Sequence, residues 1–224
     1  MKILYEDKHI IVIVKPKGMP SQPDLSGDRN VYEAVLEHVG HEDKNINLGL
    51  IQRLDRPVGG IMVLTKSSEA HRAFTQKSYL NKKYLAVVEG EAEQENRLVD
   101  YLQKVRGNRT IVTSKKVPQA KEAILTYRCI KKVVVSDKSL SLLEVELETG
   151  RHHQIRAQMA HHKLPLVGDT KYNVIKEGTW VDIGLQAYKL EINHPLIGHM
   201  TFKHINKEHP FDIFFKNEDD YETL

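Results

Sequence analysis

The chain has 224 residues, 40% hydrophobic and 28% charged, with 33 Lys+Arg against 30 Asp+Glu and a net charge of +3. This balance is that of a globular protein and excludes disordered or fibrous chains; no apolar run is long enough to span a membrane, and no basic, apolar leader opens the sequence. The single cysteine, Cys129, excludes an internal disulfide and a paired-cysteine zinc site, so a reducing, cytoplasmic location is expected.

Residues 3–15 read as two apolar strands around Glu6-Asp7-Lys8-His9, and the second arm is β-branched at each of Ile10, Ile11, Val12, Ile13 and Val14. Pro16 ends it, and a loop rich in Pro, Gly, Ser and Asp follows to Asn30. Asn30 and Glu33 form a capping pair for a helix on which Val31, Val35, Leu36 and Val39 recur at helical spacing before Gly40 stops it.

In Gln52-Arg53-Leu54-Asp55-Arg56-Pro57-Val58-Gly59-Gly60 one carboxylate stands between two arginines, just before the apolar run Ile61-Met62-Val63-Leu64. The run reads as a buried strand and the Pro/Gly content before it as a loop, which puts Asp55 at a strand mouth. Flanking cations favour an ionised carboxylate, which suits a nucleophile better than a proton donor. Taken alone, the segment fits an ordinary turn with surface ion pairs at least as well.

Ser67 or Ser68 can cap a helix running to about Leu80, with Glu69 in its first turn. Strands are predicted over residues 82–90, 123–132, 140–148 and 188–193. Between Arg97 and Lys132 ten Lys/Arg face only Asp100 and Glu122, leaving the rest of the chain acidic. A solvated lysine face explains this as readily as a phosphate-backbone footprint does. The run Glu148-Thr149-Gly150-Arg151-His152-His153-Gln154-Ile155-Arg156 follows a strand and opens a helix through Gly150 toward Met159, ended by Pro165. The histidines at 152, 153, 161 and 162 offer no His-x-x-x-His pair, and adjacent helical residues point about 100° apart, so no metal site is expected. The acidic residues 218–222 read as a frayed end.

Strands outnumber helices without strict alternation, which predicts an α+β fold with a largely antiparallel sheet rather than a doubly wound one. No linker or repeat divides the chain, so one domain over residues 1–224 is expected.

Arg53-Leu54-Asp55 with Gly60, the apolar run and Lys66 resembles the signature of the RluA-type pseudouridine synthases. Gln52, Val58 and Gly59 stand where that pattern usually has His, Thr and Ser. Thr149-Gly150-Arg151, His153-Gln154-Ile155-Arg156 and Pro165-Leu166-Val167-Gly168-Asp169 with Tyr172 resemble the same family at fixed spacing. Lys82-Lys83-Tyr84, Lys15-Pro16-x-Gly18 and Asn193-His194-Pro195 extend the resemblance over most of residues 3–203. It implies a pseudouridine synthase-like α+β fold, with a mixed, mostly antiparallel central β-sheet and flanking helices and loops, and without a separate N-terminal RNA-binding domain. It also implies isomerisation of uridine to pseudouridine in ribosomal or transfer RNA. Asp55 is then the nucleophile, Tyr84 lies against the target base, and Arg156 pairs with Asp55. Arg53, Arg151, His153 and Gln154 contact RNA, and Arg53 fills the gap left by a flipped-out uridine.

An isomerisation needs no cofactor, nucleotide or metal. The implied partner is RNA, not a membrane, and a monomer is expected. Two other readings stand beside this one: an RNA-binding protein of the same fold without catalysis, and a glycosidase pairing Asp55 with another acid such as Asp169.

Overall fold

The computed structural model describes residues 1–40, 47–75, 79–173, 182–194 and 198–215. The chain divides into two compact units, residues 1–82 with 186–205 and residues 83–185 with 206–224. Two of the three crossings fall inside strands, β5 and β10 below, so no linker composition marks them in the sequence. Eleven strands, mostly antiparallel, and three α-helices form among the described residues, which is the α+β class expected.

In the first unit, β1 (Lys2–Glu6) and β2 (Ile10–Lys15) make the expected hairpin. Asp7 shapes its turn, accepting hydrogen bonds from the backbone N–H of His9 at 2.7 Å and Ile10 at 2.8 Å. Strand β2 runs antiparallel to β4 (Gly59–Thr65), and β3 (Gly49–Leu50) pairs with the far end of β4. Every residue of β4 is buried, so its uninterrupted apolar run reflects two covered faces. The start of β4 also pairs in parallel with β10 (Leu185–His194), through Gln186 with Gly59 and Ala187 with Gly60. Strand β11 (Gly198–Lys203) completes this unit against β10.

Helix α2 (Ser68–Phe74) places Ala70 and Phe74 on a core with Ile10, Val12, Ile61, Val63, Leu190 and Ile192. Each large apolar side chain buried there contributes about 1.5–3 kcal/mol. Ser67 caps the helix, its hydroxyl accepting from Ala70 N at 3.1 Å. The helix stops at Phe74 rather than near Leu80: Leu80 opens β5 (Leu80–Glu89), and residues 76–78 lie outside the described residues. Asn30 caps α1 (Val31–Gly40), accepting from Glu33 N at 3.1 Å. That helix buries Val31, Val35 and Val39 but exposes Leu36, which sits about 100° around the axis from Val35.

In the second unit, β5, β9 (Lys138–Leu147), β8 (Lys121–Val135), β6 (Glu95–Val105) and β7 (Arg109–Thr113) pair antiparallel in that order. The basic region is therefore strand over most of its length, where the sequence reading assigned strand only to residues 123–132. Strand β6 escaped it because Leu98 and Leu102 are its only fully buried residues, too sparse for an alternating signal. All ten basic residues are exposed. Arg97 pairs with Glu148 and Arg128 with Glu144.

Helix α3 (Gln154–His161) begins four residues after Gly150, preceded by a turn, and packs Ala157 against Leu102 and Ala123. The acidic residues 218–222 and Pro195 lie outside the described residues. No described helix is long and apolar enough to cross a membrane.

Candidate active site

In the first unit, the loop carrying Asp55 is fastened at successive positions. The Gln52 side chain donates to the Ile61 carbonyl at 2.9 Å, tying the loop's start to the strand it leads into. The Ser21 hydroxyl accepts from Leu54 N at 3.1 Å and donates to Leu54 O at 2.7 Å. The Arg56 carbonyl accepts from Gly18 N at 2.9 Å and from the Lys15 ammonium at 3.0 Å. A turn closed by Val58 N donating to Asp55 O at 3.0 Å joins the loop to β4. Asp55 itself is part-exposed, while Leu54 before it and Val58 after it are buried.

The three departures from the family pattern fit this scaffold. Gln52 keeps a side-chain donor to the strand, Val58 joins the core at 2% exposure, and Gly59 leaves room for the neighbouring chain. A Cβ on Gly59 would meet Lys17 Cγ at 3.2 Å and Lys15 O at 3.3 Å.

The arginines beside Asp55 turn to other partners: Arg56 forms an ion pair with Asp28 and donates to the Ser26 hydroxyl at 3.2 Å. Arg53 is exposed, its guanidinium 3.5 Å from the Gln22 side-chain oxygen. The cation buried at this loop is Lys15, 1% exposed, which also donates to Pro16 O at 3.0 Å. Burial pulls its ammonium down from 10.5 to about 7; the Asp55 carboxylate opposes that shift and Arg56 adds to it. The sequence reading noted Lys15-Pro16 only as a supporting motif. Its signal was a lysine closing a fully β-branched strand, where a charged side chain has little water to reach.

In the second unit, Tyr84 lies on β5 opposite Val145 of β9 and is 8% exposed. Helix α3 buries every residue from 154 to 159, polar ones included. Gln154 is 3% exposed; its carbonyl accepts from Thr149 Oγ1 and Arg151 N, both at 2.9 Å, and its amide donates to Ile124 O at 3.1 Å. It holds the turn that presents Arg151, whose Nε donates to Glu122 O at 2.8 Å. His153, at φ 51°, is 7% exposed and its Nδ1 lies 2.9 Å from the Tyr172 hydroxyl. Both side chains expected to contact RNA here, His153 and Gln154, are thus engaged inside the protein, whereas Arg151 keeps partial exposure.

Arg156 is gripped by Asp169 in a two-pronged pair, Nε to Oδ2 and Nη2 to Oδ1, each 2.8 Å. Their side chains are 3% and 0% exposed. Removing one partner of such a buried pair costs about 3–5 kcal/mol, because the other charge is left without compensation. Asp169 Oδ1 also accepts from Lys171 N at 2.9 Å and Tyr172 N at 3.3 Å, which fixes the carboxylate in turn. The Tyr172 ring lies 5.3 Å from the guanidinium carbons of both Arg156 and Arg109, and its hydroxyl accepts from Thr110 N at 2.8 Å. Burial raises its phenol above the ordinary value. Asp169 was read as part of a motif and as a second acid in the glycosidase alternative, and Tyr172 only as part of a motif; their link to Arg156 is a matter of space.

The donor atoms of Asp100, His161 and His162 come within 4.8 Å of one another, a grouping that spacing within α3 alone did not suggest. The Asp100 carboxylate already accepts from Gln158 at 2.7 Å and lies 3.0 Å from His162 Nε2.

The chain is similar to known proteins. A family model described as RNA pseudouridylate synthase matches residues 9–161. Ribosomal large subunit pseudouridine synthase D of Borreliella burgdorferi is 30% identical over 229 residues, covering 96% of this chain and 68% of that protein. tRNA pseudouridine synthase C of Pectobacterium carotovorum is 29% identical, covering 88% of this chain and 57% of that protein. The solved structure of human RNA pseudouridylate synthase domain containing 1 superposes with a TM-score of 0.75 at 15% identity, covering 99% of this chain and 93% of that one, a likeness of fold. The chain therefore belongs to the RNA pseudouridylate synthase family, as its RluA-type motifs predicted.

Proposed function

We propose that this chain isomerises uridine to pseudouridine in ribosomal or transfer RNA. The observation that carries the reading is the Asp55 loop, tied by Gln52, Ser21 and Lys15 yet leaving its carboxylate part-exposed. A nucleophile held on a rigid loop meets its substrate without the entropy of searching for it. In the reaction the bond from ribose C1′ to N1 breaks, the base turns, and C1′ joins C5. The C5 proton leaves and N1 gains one, so nothing is oxidised or reduced. Asp55 supplies the transient nucleophile, Tyr84 a flat ring for the base, and Arg156 a positive charge that complements the nucleophile. A stacked uridine must first be flipped out, at about a few kcal/mol. Arg53, exposed and able to stack on bases, takes its place, and Arg151 contacts the backbone.

The two competing readings have less support. A glycosidase needs its second acid at the surface of the site, and Asp169 is buried and taken by Arg156. A binding protein without catalysis rested on the departures at residues 52, 58 and 59, which the loop accommodates.

Release of tritium from RNA labelled at uridine C5 tests the proposal, with a stem and a loop as substrates. The wild type is expected to release it and Asp55→Asn to fall to background. Arg53→Ala is expected to lose more on the stem. Release by Asp55→Asn at the wild-type rate removes Asp55 from the mechanism, and equal losses for Arg53→Ala on both substrates remove the gap-filling role.

A further inference from the structure

We propose that Asp169 is a positioning residue for the reaction: it holds the Arg156 guanidinium in the one orientation that the role proposed for Arg156 requires. This rests on the function proposed above. The pair is buried, two-pronged and separated by 13 residues of chain. Asp169 is itself held by two backbone N–H groups, at Lys171 and Tyr172. The Tyr172 ring stands beside the same guanidinium, and its hydroxyl is fixed by Thr110 N. A flexible side chain with several staggered rotamers is thereby reduced to one direction. Nε and Nη2 are spent on Asp169, which sets where the remaining edge of the planar fork faces. The carboxylate needs no contact with RNA, and at 0% side-chain exposure it has no open face to offer one.

Pre-steady-state tritium release and RNA affinity should be measured for the wild type, Asp169→Asn, Asp169→Glu, Arg156→Lys and the Asp169→Asn/Arg156→Lys double variant. Circular dichroism establishes which variants fold. Asp169→Asn is expected to lower the rate of the chemical step by about 100-fold, the scale of a misplaced catalytic group, while RNA affinity changes by less than about threefold. The double variant should be no slower than Arg156→Lys alone, as for two residues that act as one unit.

Asp169→Glu keeps the charge and moves it outward by one methylene. It carries the test if the Asn variant does not fold, and a slowed chemical step in folded protein is expected. A wild-type rate of the chemical step in a folded Asp169 variant overturns the proposal, as do losses that multiply in the double variant. No release by the wild type from any RNA overturns the proposed function and this role with it, whereas a normal wild type beside an unaffected Asp169 variant overturns this role alone.

Discussion

Lys15 shows how one buried charge links the fold to the site. Its ammonium bridges the carbonyls of Pro16 and Arg56, and burial lowers its folded-state value to about 7. The unfolded chain therefore holds more protons than the folded one between about pH 7 and 10.5, so the Lys15 contribution to stability rises with pH across that window and is flat below it. Urea unfolding at a mildly acidic pH and again two units above neutrality should show the wild type gaining on Lys15→Met by about 2 kcal/mol. A constant difference between the two proteins would mean that Lys15 stays charged in the fold. At this scale the sequence exposed Asp55, Tyr84 and Arg156 because family motifs carry them. It hid Lys15, Ser21 and the inward engagement of His153 and Gln154, because residue type does not say whether a polar side chain meets water or a buried carbonyl.

Strand β4 ties the Asp55 loop to the first unit's core, and Gly60 sets the geometry at its start. Its φ of 125° belongs to a region that side-chain-bearing residues rarely adopt, and a Cβ there would collide with the Ala187 backbone across the parallel pair. Gly60→Ala should destabilise the protein by roughly 2–3 kcal/mol through strain and overpacking. Gly40→Ala, at a helix end with nothing within 4 Å of the added carbon, should change it by less than about 1 kcal/mol. Equilibrium urea denaturation measures both, and equal effects would show that β10 can yield. Period and punctuation found β2, β4, β5, β8 and α1 in the sequence, each dense in apolar residues or clearly capped. They missed β6, β7 and β11, whose sparse apolar residues gave no strong alternating signal.

For the molecule as a whole, a net charge of +3 conceals ten exposed basic residues concentrated between positions 97 and 132. Those charges lie on β6, β7, β8 and their connecting turns, and Arg97 and Arg128 are already paired with glutamates. Replacing Lys104, Arg106 and Lys116 by Gln should weaken RNA binding and flatten its salt dependence by roughly 0.7–0.9 logarithmic units per lost phosphate contact. Fluorescence anisotropy of labelled RNA over a salt series reads the slope, and an unchanged slope would place the RNA elsewhere. By itself the sequence determined the family and the α+β class and singled out Asp55 as the candidate nucleophile, because motif spacing and apolar periodicity are local properties of the chain. Tertiary structure alone decided that Lys15 is a buried cation, that Asp169 clasps Arg156 and that Gly60 must lack a side chain. Each depends on which distant residues share a small volume from which water is excluded, and that is a property of packing rather than of order along the chain.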